Sequence, residues 1–222
     1  MPQPDAAGPV ARGMRALLAR RDAELAEGAR QVGWKIGFNT PAIQAAFGLN
    51  DPVVGYLLDR GVTPDGGTVS LSGWTAPAVE VEVAVRVGDG EAGAGAAGVA
   101  PALELVDLDI SFDDIEPVLA GNICQRGVVF GPEVAGVDPF AVRAGVVKNG
   151  AVLEGLGEGR LTEDPAATVA FVDRFLAAHG AVLEPGQRVI CGSLLAPVTV
   201  APGDELEVSF GPLGELRIAF GD

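Results

Sequence analysis

The chain has 222 residues, 48% of them hydrophobic, enough for one well-buried core, and its 32 glycines and 16 prolines are scattered as turn punctuation between apolar runs. Fifteen basic residues against thirty acidic ones leave a net charge of -15, which argues against a nucleic-acid partner and against an anionic membrane surface. An acidic protein that handles an anionic substrate needs a local positive charge, and a metal ion supplies one. Two cysteines, Cys124 and Cys191, make neither a disulfide framework nor a metal-ligand spacing. The arginine-studded N-terminus lacks a signal-peptide core, and no run approaches a membrane span, so a reducing cytoplasm is the expected compartment.

Residues 10–30 read as an amphipathic helix with Met14, Leu17, Leu18 and Leu25 on one side, closed by Gly28 and Gly33. Thr40, Pro41 and Gly48 have the cap, first-turn and stop chemistry of a short second helix. The chain then turns to short apolar runs at 53–58 and 69–71, and to the alternating segment AVEVEVAVRV over 78–87. The stretch 88–98 is a low-complexity glycine-rich loop, and PALELVDLDI, 101–110, is a further strand. A helical turn at 113–120 and strands at 128–130 and 142–148 follow, the last ending in the hairpin signal Lys148-Asn149-Gly150. The strongest helix runs from Asp164-Pro165 to His179 with Gly180 as its stop, burying Val169, Val172 and Leu176. Strands at 188–191, 198–200, 205–210 and 215–220 complete a chain in which β-structure dominates.

Residues two apart in a strand share a face, so Glu80 and Glu82 project together while Val79, Val81 and Val83 face the other way. Glu104 lies in a second apolar strand; if the two strands meet, three carboxylates converge. Such an oxygen-rich trio with open positions suits Mg²⁺ or Mn²⁺ rather than zinc. Spacing alone leaves a solvated acidic face as the commoner alternative.

Lys35, in the glycine-flanked segment Gly33-Trp34-Lys35-Ile36-Gly37, is either desolvated there, with a lowered pKa suited to proton transfer or anion binding, or a lysine that snorkels its ammonium to the surface. Asp59 could orient it, or could simply open a turn. Asn122 is either a turn residue or a substrate hydrogen-bonding group. Backbone N–H groups at Gly192-Ser193-Leu194-Leu195 could hold a substrate carboxylate. The sole histidine, His179, is read as a helix terminus, and both cysteines as small core residues.

The ordered motifs Gly33-Trp34-Lys35-Ile36-Gly37, Pro77-Ala78-Val79-Glu80-Val81-Glu82 and Pro101-Ala102-Leu103-Glu104 resemble the 2-keto-4-pentenoate hydratase and 2-oxo-3-hexenedioate decarboxylase group of the fumarylacetoacetate hydrolase family. The stretch from Gly192 to Val200 followed by Pro202-Gly203-Asp204 is similar to the same group, so the likeness covers roughly residues 30–220. It implies an α+β, mainly β fold: a mixed-β roll or barrel-like core of the fumarylacetoacetase C-terminal type with a few peripheral helices, assembled as a homo-oligomer. Residues 31–222 would form the single catalytic domain and 1–30 an N-terminal helical segment. By this resemblance Glu80, Glu82 and Glu104 hold Mg²⁺ or Mn²⁺ and Lys35 lies beside the bound substrate; together with the residue readings above, Lys35 and Asp59 are the expected catalytic residues, and Asn122, Ser193 and Leu194 the expected contacts to a small 2-oxo acid. The activity implied is hydration of a 2-hydroxy-2,4-dienoate to a 4-hydroxy-2-oxo acid in aromatic-compound degradation. The alternatives are decarboxylation of a 2-oxo-3-enedioate, or a divergent protein that binds a 2-oxo acid without turnover. Where the group often has a serine-bearing stretch, this chain reads Asn122-Ile123-Cys124-Gln125-Arg126, which would bring Arg126 near the pocket.

Overall fold

A computed structural model describes residues 8–88, 96–111, 113–161 and 163–222. The start of the expected N-terminal segment, 1–7, and most of the glycine-rich loop, 89–95, lie outside them. Helix α1, Pro9–Ala26, begins on a proline whose missing N–H is harmless in a first turn, and it buries Met14 and Leu17 completely in the main core. Strand β1, Gln31–Gly37, was not legible as a strand because two glycines and a lysine interrupt its alternation. Gly33 is required there: a Cβ would run into the carbonyl oxygen of Arg188 on the neighbouring strand.

Helix α2, Pro41–Phe47, closes on Gly48 in the left-handed region, φ 63°, as its sequence anticipates, but the Thr40 hydroxyl makes no capping bond. Strands β2, Val53–Leu58, β3, Val62–Thr63, and β4, Thr68–Ser70, are short. The two long strands are β5, Pro77–Val87, and β6, Ala96–Asp107; the second starts earlier and ends sooner than the 101–110 of the sequence reading. Helix α3, Ile115–Ala120, is capped by Asp114, whose carboxylate accepts the Glu116 N–H. It packs against α1, and strand β7, Gln125–Phe130, follows. Strands β8, Gly145–Lys148, and β9, Ala151–Val152, meet at Asn149 and Gly150, whose φ values of 53° and 78° fit the expected tight hairpin. Helix α4, Pro165–Ala178, has Asp164 as its N-cap and packs Val169, Val172 and Leu176 into the core. Strands β10, Arg188–Ile190, β11, Val198–Thr199, β12, Glu205–Ser209, and β13, Glu215–Gly221, finish the chain.

Two sheets result. The larger runs β2-β1-β10-β5-β6-β7-β3, with β11 also paired to β5. Its end strands β2 and β3 are joined by only Asp59–Gly61, so a sheet seven strands across must curl until its two ends meet. The smaller runs β4-β13-β12-β8-β9. Burial alternates along β12 and β13, and their inward residues, including Leu206, Val208, Leu216 and Ile218, share one core with Val81, Val83, Leu103 and Leu105 of the larger sheet.

The inner, concave face of the roll carries different residues. Leu57, Ala84, Ala100, Ala102 and Ile190 form a second apolar cluster there, none more than 1% exposed. Register places Glu80 directly opposite Glu104 and Glu82 opposite Ala102, so the glutamates sit on this face just above the alanines.

Candidate active site

The groups of the site are delivered by four pieces of the roll. Lys35 comes from β1, Glu80 and Glu82 from β5, Glu104 from β6 and Gly192 from the turn after β10. In a flat sheet β1 and β6, three places apart, would stand about 14 Å from one another. The curl brings the Lys35 ammonium onto Glu104 Oε1, where it forms a buried ion pair, and a second Lys35 hydrogen bond goes to the Ile123 carbonyl at 3.0 Å. Lys35 is 2% exposed and Glu104 fully enclosed.

Glu82 is also buried, and its Oε2 accepts the Gly192 N–H at 2.7 Å. Gly192 adopts φ 97°, and a Cβ there would collide with the Asn39 side chain, so the turn that offers this N–H demands glycine. Glu104 Oε2 is buried with no hydrogen-bond partner. Native interiors rarely leave a carboxylate oxygen unsatisfied. One carboxylate oxygen from each of Glu80, Glu82 and Glu104 lies within 4.8 Å of the others, and among the described residues this is the group of His, Cys, Asp and Glu side chains able to share a cation. The donor set is all oxygen, which fits Mg²⁺ or Mn²⁺, and the unpartnered oxygen is the observation that a cation would explain.

The electrostatics agree. Burial, then the neighbouring carboxylates Glu104 and Glu80, hold Glu82 well above the ordinary carboxylate range. Burial likewise lifts Glu104 to about 7, although Lys35 pulls it down. For Lys35 the sequence reading needs correction. Burial does lower its pKa, but Glu104, Glu80 and Glu82 together outweigh burial and leave it above its usual value, so the side chain is an ammonium ion.

Above this floor opens a cavity of about 400 Å³, a size typical of small-molecule sites. Lys35, Glu80, Glu82 and Ser193 line it, as do Phe38, Asn39, Thr40 and Ile43 around the start of α2, and Cys124. The second group was missed by sequence reasoning; its one local signal, the positive φ of Phe38 at 56°, is visible only in the backbone. Cys124 is a cavity residue rather than the core residue expected, and burial pushes its thiol up to about 11, which keeps it protonated.

The other expected site residues are placed differently. Asp59 is not among the lining residues: it sits in the turn that joins the ends of the roll, and its carboxylate binds the Arg30 backbone N–H and guanidinium, both at 2.9 Å. Leu194 packs into the core and donates its N–H to the Val81 carbonyl at 2.7 Å, so that group is not free for a ligand. The Ser193 hydroxyl donates to the Leu195 carbonyl at 2.7 Å. Asn122 does not face the cavity. Its amide bridges the β2 backbone, accepting from Tyr56 N–H and donating to the Tyr56 carbonyl, each at 2.9 Å. It opens three successive left-handed residues, Asn122, Ile123 and Cys124, with φ between 52° and 64°, a strained turn for a β-branched isoleucine. That turn aims the Ile123 carbonyl at Lys35. Arg126 is likewise outside the cavity, held by Asp107 at 3.1 Å.

Comparison with known proteins decides the family. A 4-oxalocrotonate decarboxylase from Pseudomonas sp. (strain CF600) is 32% identical over 211 residues, spanning 88% of this chain and 79% of the relative. A 2-oxo-hept-4-ene-1,7-dioate hydratase from Escherichia coli is 30% identical over 218 residues, 89% of this chain and 81% of the relative. The chain belongs to this hydratase and decarboxylase family. It is accordingly an enzyme. The roll is the family fold: the 4-oxalocrotonate decarboxylase from Pseudomonas putida G7, complexed with magnesium and adipate, superposes with a TM-score of 0.84 at 27% identity, covering 95% of this chain and 86% of that one. No family model matches the chain.

Two outcomes follow from this geometry. Because burial raises Glu82 and Glu104 above the ordinary carboxylate range, Mg²⁺ must displace the protons they still hold, and its affinity should strengthen as pH rises through about 7, with net proton release, when titrated calorimetrically in buffers of different ionisation enthalpy between about pH 6 and pH 8. Asn122→Ala should lower unfolding stability by about 2–4 kcal/mol in urea, since it orphans two buried Tyr56 backbone groups. The same variant should reduce kcat more than Mg²⁺ affinity, because Lys35 loses the carbonyl that aims it.

Proposed function

We propose that the chain is a divalent-metal-dependent hydratase that converts a 2-hydroxy-2,4-dienoate into a 4-hydroxy-2-oxo acid in the degradation of aromatic compounds. The observation that carries this reading is Glu104: one oxygen is held by Lys35, the other is buried without a partner, and Glu80 and Glu82 stand beside it at the floor of a cavity. Mg²⁺ or Mn²⁺ bound by Glu80, Glu82 and Glu104 would supply Lewis acidity toward the carboxylate and 2-oxygen of the substrate.

The rest of the chemistry falls to the chain's own groups. Lys35 has three N–H donors, two of them engaged by Glu104 and Ile123, which leaves one for the cavity it lines. In this reading the Lys35 ammonium donates a hydrogen bond to the substrate's 2-oxygen, its direction fixed by those two partners, and steadies the charge that develops there as the 2-hydroxyl proton passes to solvent. The dienol loses its 2-hydroxyl proton and gains one at C5. One water then adds across the remaining double bond, hydroxyl to C4 and hydrogen to C3, so substrate plus water equals product and no co-reactant is consumed. Asn122 acts as a positioning residue through Ile123, and Ser193 belongs to the substrate cavity.

The same reading takes 31–222 as the catalytic domain with 1–30 as a helical segment. It also takes the protein as a cytoplasmic homo-oligomer. Both cysteines are free, and no helix of the described residues is long and apolar enough to cross a membrane. The edge strand β9 exposes Val152 at 71%, an apolar group that an assembly would cover.

Decarboxylation is the second reading, favoured by the 32% identity to a 4-oxalocrotonate decarboxylase. With Mg²⁺ present, the enzyme should consume 2-hydroxypenta-2,4-dienoate, followed by loss of its ultraviolet absorbance. Rapid CO₂ release from 2-hydroxyhexa-2,4-dienedioate, with the monoacid left intact, would assign the decarboxylase instead. Replacing Glu82 by Gln should weaken Mg²⁺ binding by roughly 100-fold; unchanged affinity would remove the metal site. Lys35→Met should retain Mg²⁺ and lose kcat by about 10²–10⁴.

A further inference from the structure

The cavity is charged at one end only. Lys35, Glu80 and Glu82 stand at its floor, while on β6 the next residue on the Glu104 face is Val106, followed past the strand's end by Leu108 and Ile110. Each two-residue step along a strand advances about 6.6 Å. These side chains therefore form the wall that leads away from the carboxylates. Among the described lining residues Lys35 is the one cation. Arg126, the basic group nearest in the chain to Cys124, is committed elsewhere: it donates to Asp107, lies 5.9 Å over the Trp74 ring and faces a separate cavity with Arg20 and Arg60.

We propose that this wall is a subsite for an uncharged hydrocarbon tail, so that the protein selects 2-oxo acids whose far end carries no second carboxylate. The proposal rests on the reading of the glutamate trio as the place that holds the 2-oxo acid head. A terminal carboxylate set against Leu108 and Ile110 gives up part of its hydration to apolar surface and meets no cation in return, which is unfavourable. The chain's charge of -15 adds a general repulsion that falls twice as hard on a dianion. An alkyl end gains from the same burial. The E. coli relative is named for a substrate with a carboxylate at each end, so relatedness alone does not make this selection.

The test compares 2-oxohexanoate with 2-oxoadipate, unreactive acids of equal chain length that differ in the terminal carboxylate, with oxalate as a probe of the head alone. Each is titrated calorimetrically into the Mg²⁺-loaded protein and into Leu108→Arg. Leu108 is 36% exposed, so the guanidinium has room at the mouth of the cavity. The expected result is that 2-oxohexanoate binds roughly 10- to 100-fold more tightly than 2-oxoadipate, and that Leu108→Arg removes or reverses the preference. Equal affinities, or a preference for 2-oxoadipate in the unmodified protein, overturn the tail subsite. If oxalate binds but neither longer acid does, the tail subsite falls and the head site stands. If oxalate also fails to bind, the reading of the glutamates falls with it.

Discussion

Glu80 and Glu104 face each other across a strand pair, with Glu82 one step along, and the repulsion among them grows as the roll withdraws water from between them. A fold does not keep two buried carboxylates and a half-buried third together for stability; well-packed apolar residues would usually do better. What surrounds the trio is arranged around that cost. Lys35 is pulled across the concave face to Glu104, and the Gly192 N–H is turned onto Glu82. The oxygen still unmatched is Glu104 Oε2, and a doubly charged cation would do there what one lysine and one N–H leave undone.

The backing of the site matters as much as its charges. Beneath the glutamates the concave face is filled by Ala84, Ala100, Ala102, Leu57 and Ile190, a dry layer that admits no water from below. A low local dielectric strengthens every interaction among the charged groups above it. The layer is built of small residues because the inside of a tightly curled sheet has little room. That curl is set in turn by the Asp59–Gly61 turn, which ties β2 to β3. Asp59 thus bears on the site through the closure of the roll, at a distance from the chemistry.

Much of this was legible in the sequence, and what was not has physical reasons. Alternation in 78–87 put Glu80 and Glu82 on one face, and caps and glycine stops marked α2 and α4. Strand β1 was hidden because Gly33 exists for the close approach of β10, a tertiary demand with no local pattern. Lys35 was expected to be depressed by burial; three carboxylates from distant strands reverse that, and their convergence cannot be read from its neighbours in the chain. Asn122 looked like a ligand group because a lone asparagine in a small-residue turn shows its polarity but not its direction. Its amide proved to face the backbone of Tyr56, 66 residues earlier.

Strand β10 lies between β1 and β5, yet it is made more than a hundred residues after either. Until it is inserted, the strand that carries Lys35 has no place beside those that carry the glutamates, and the N–H that steadies Glu82 does not exist. A growing chain can therefore form the β5–β6 hairpin, with Glu80 already opposite Glu104, long before anything in the protein itself answers that repulsion. Closure of long-range pairings is slow. The order of synthesis thus leaves the carboxylate-bearing face of the roll incomplete until β10 is in place.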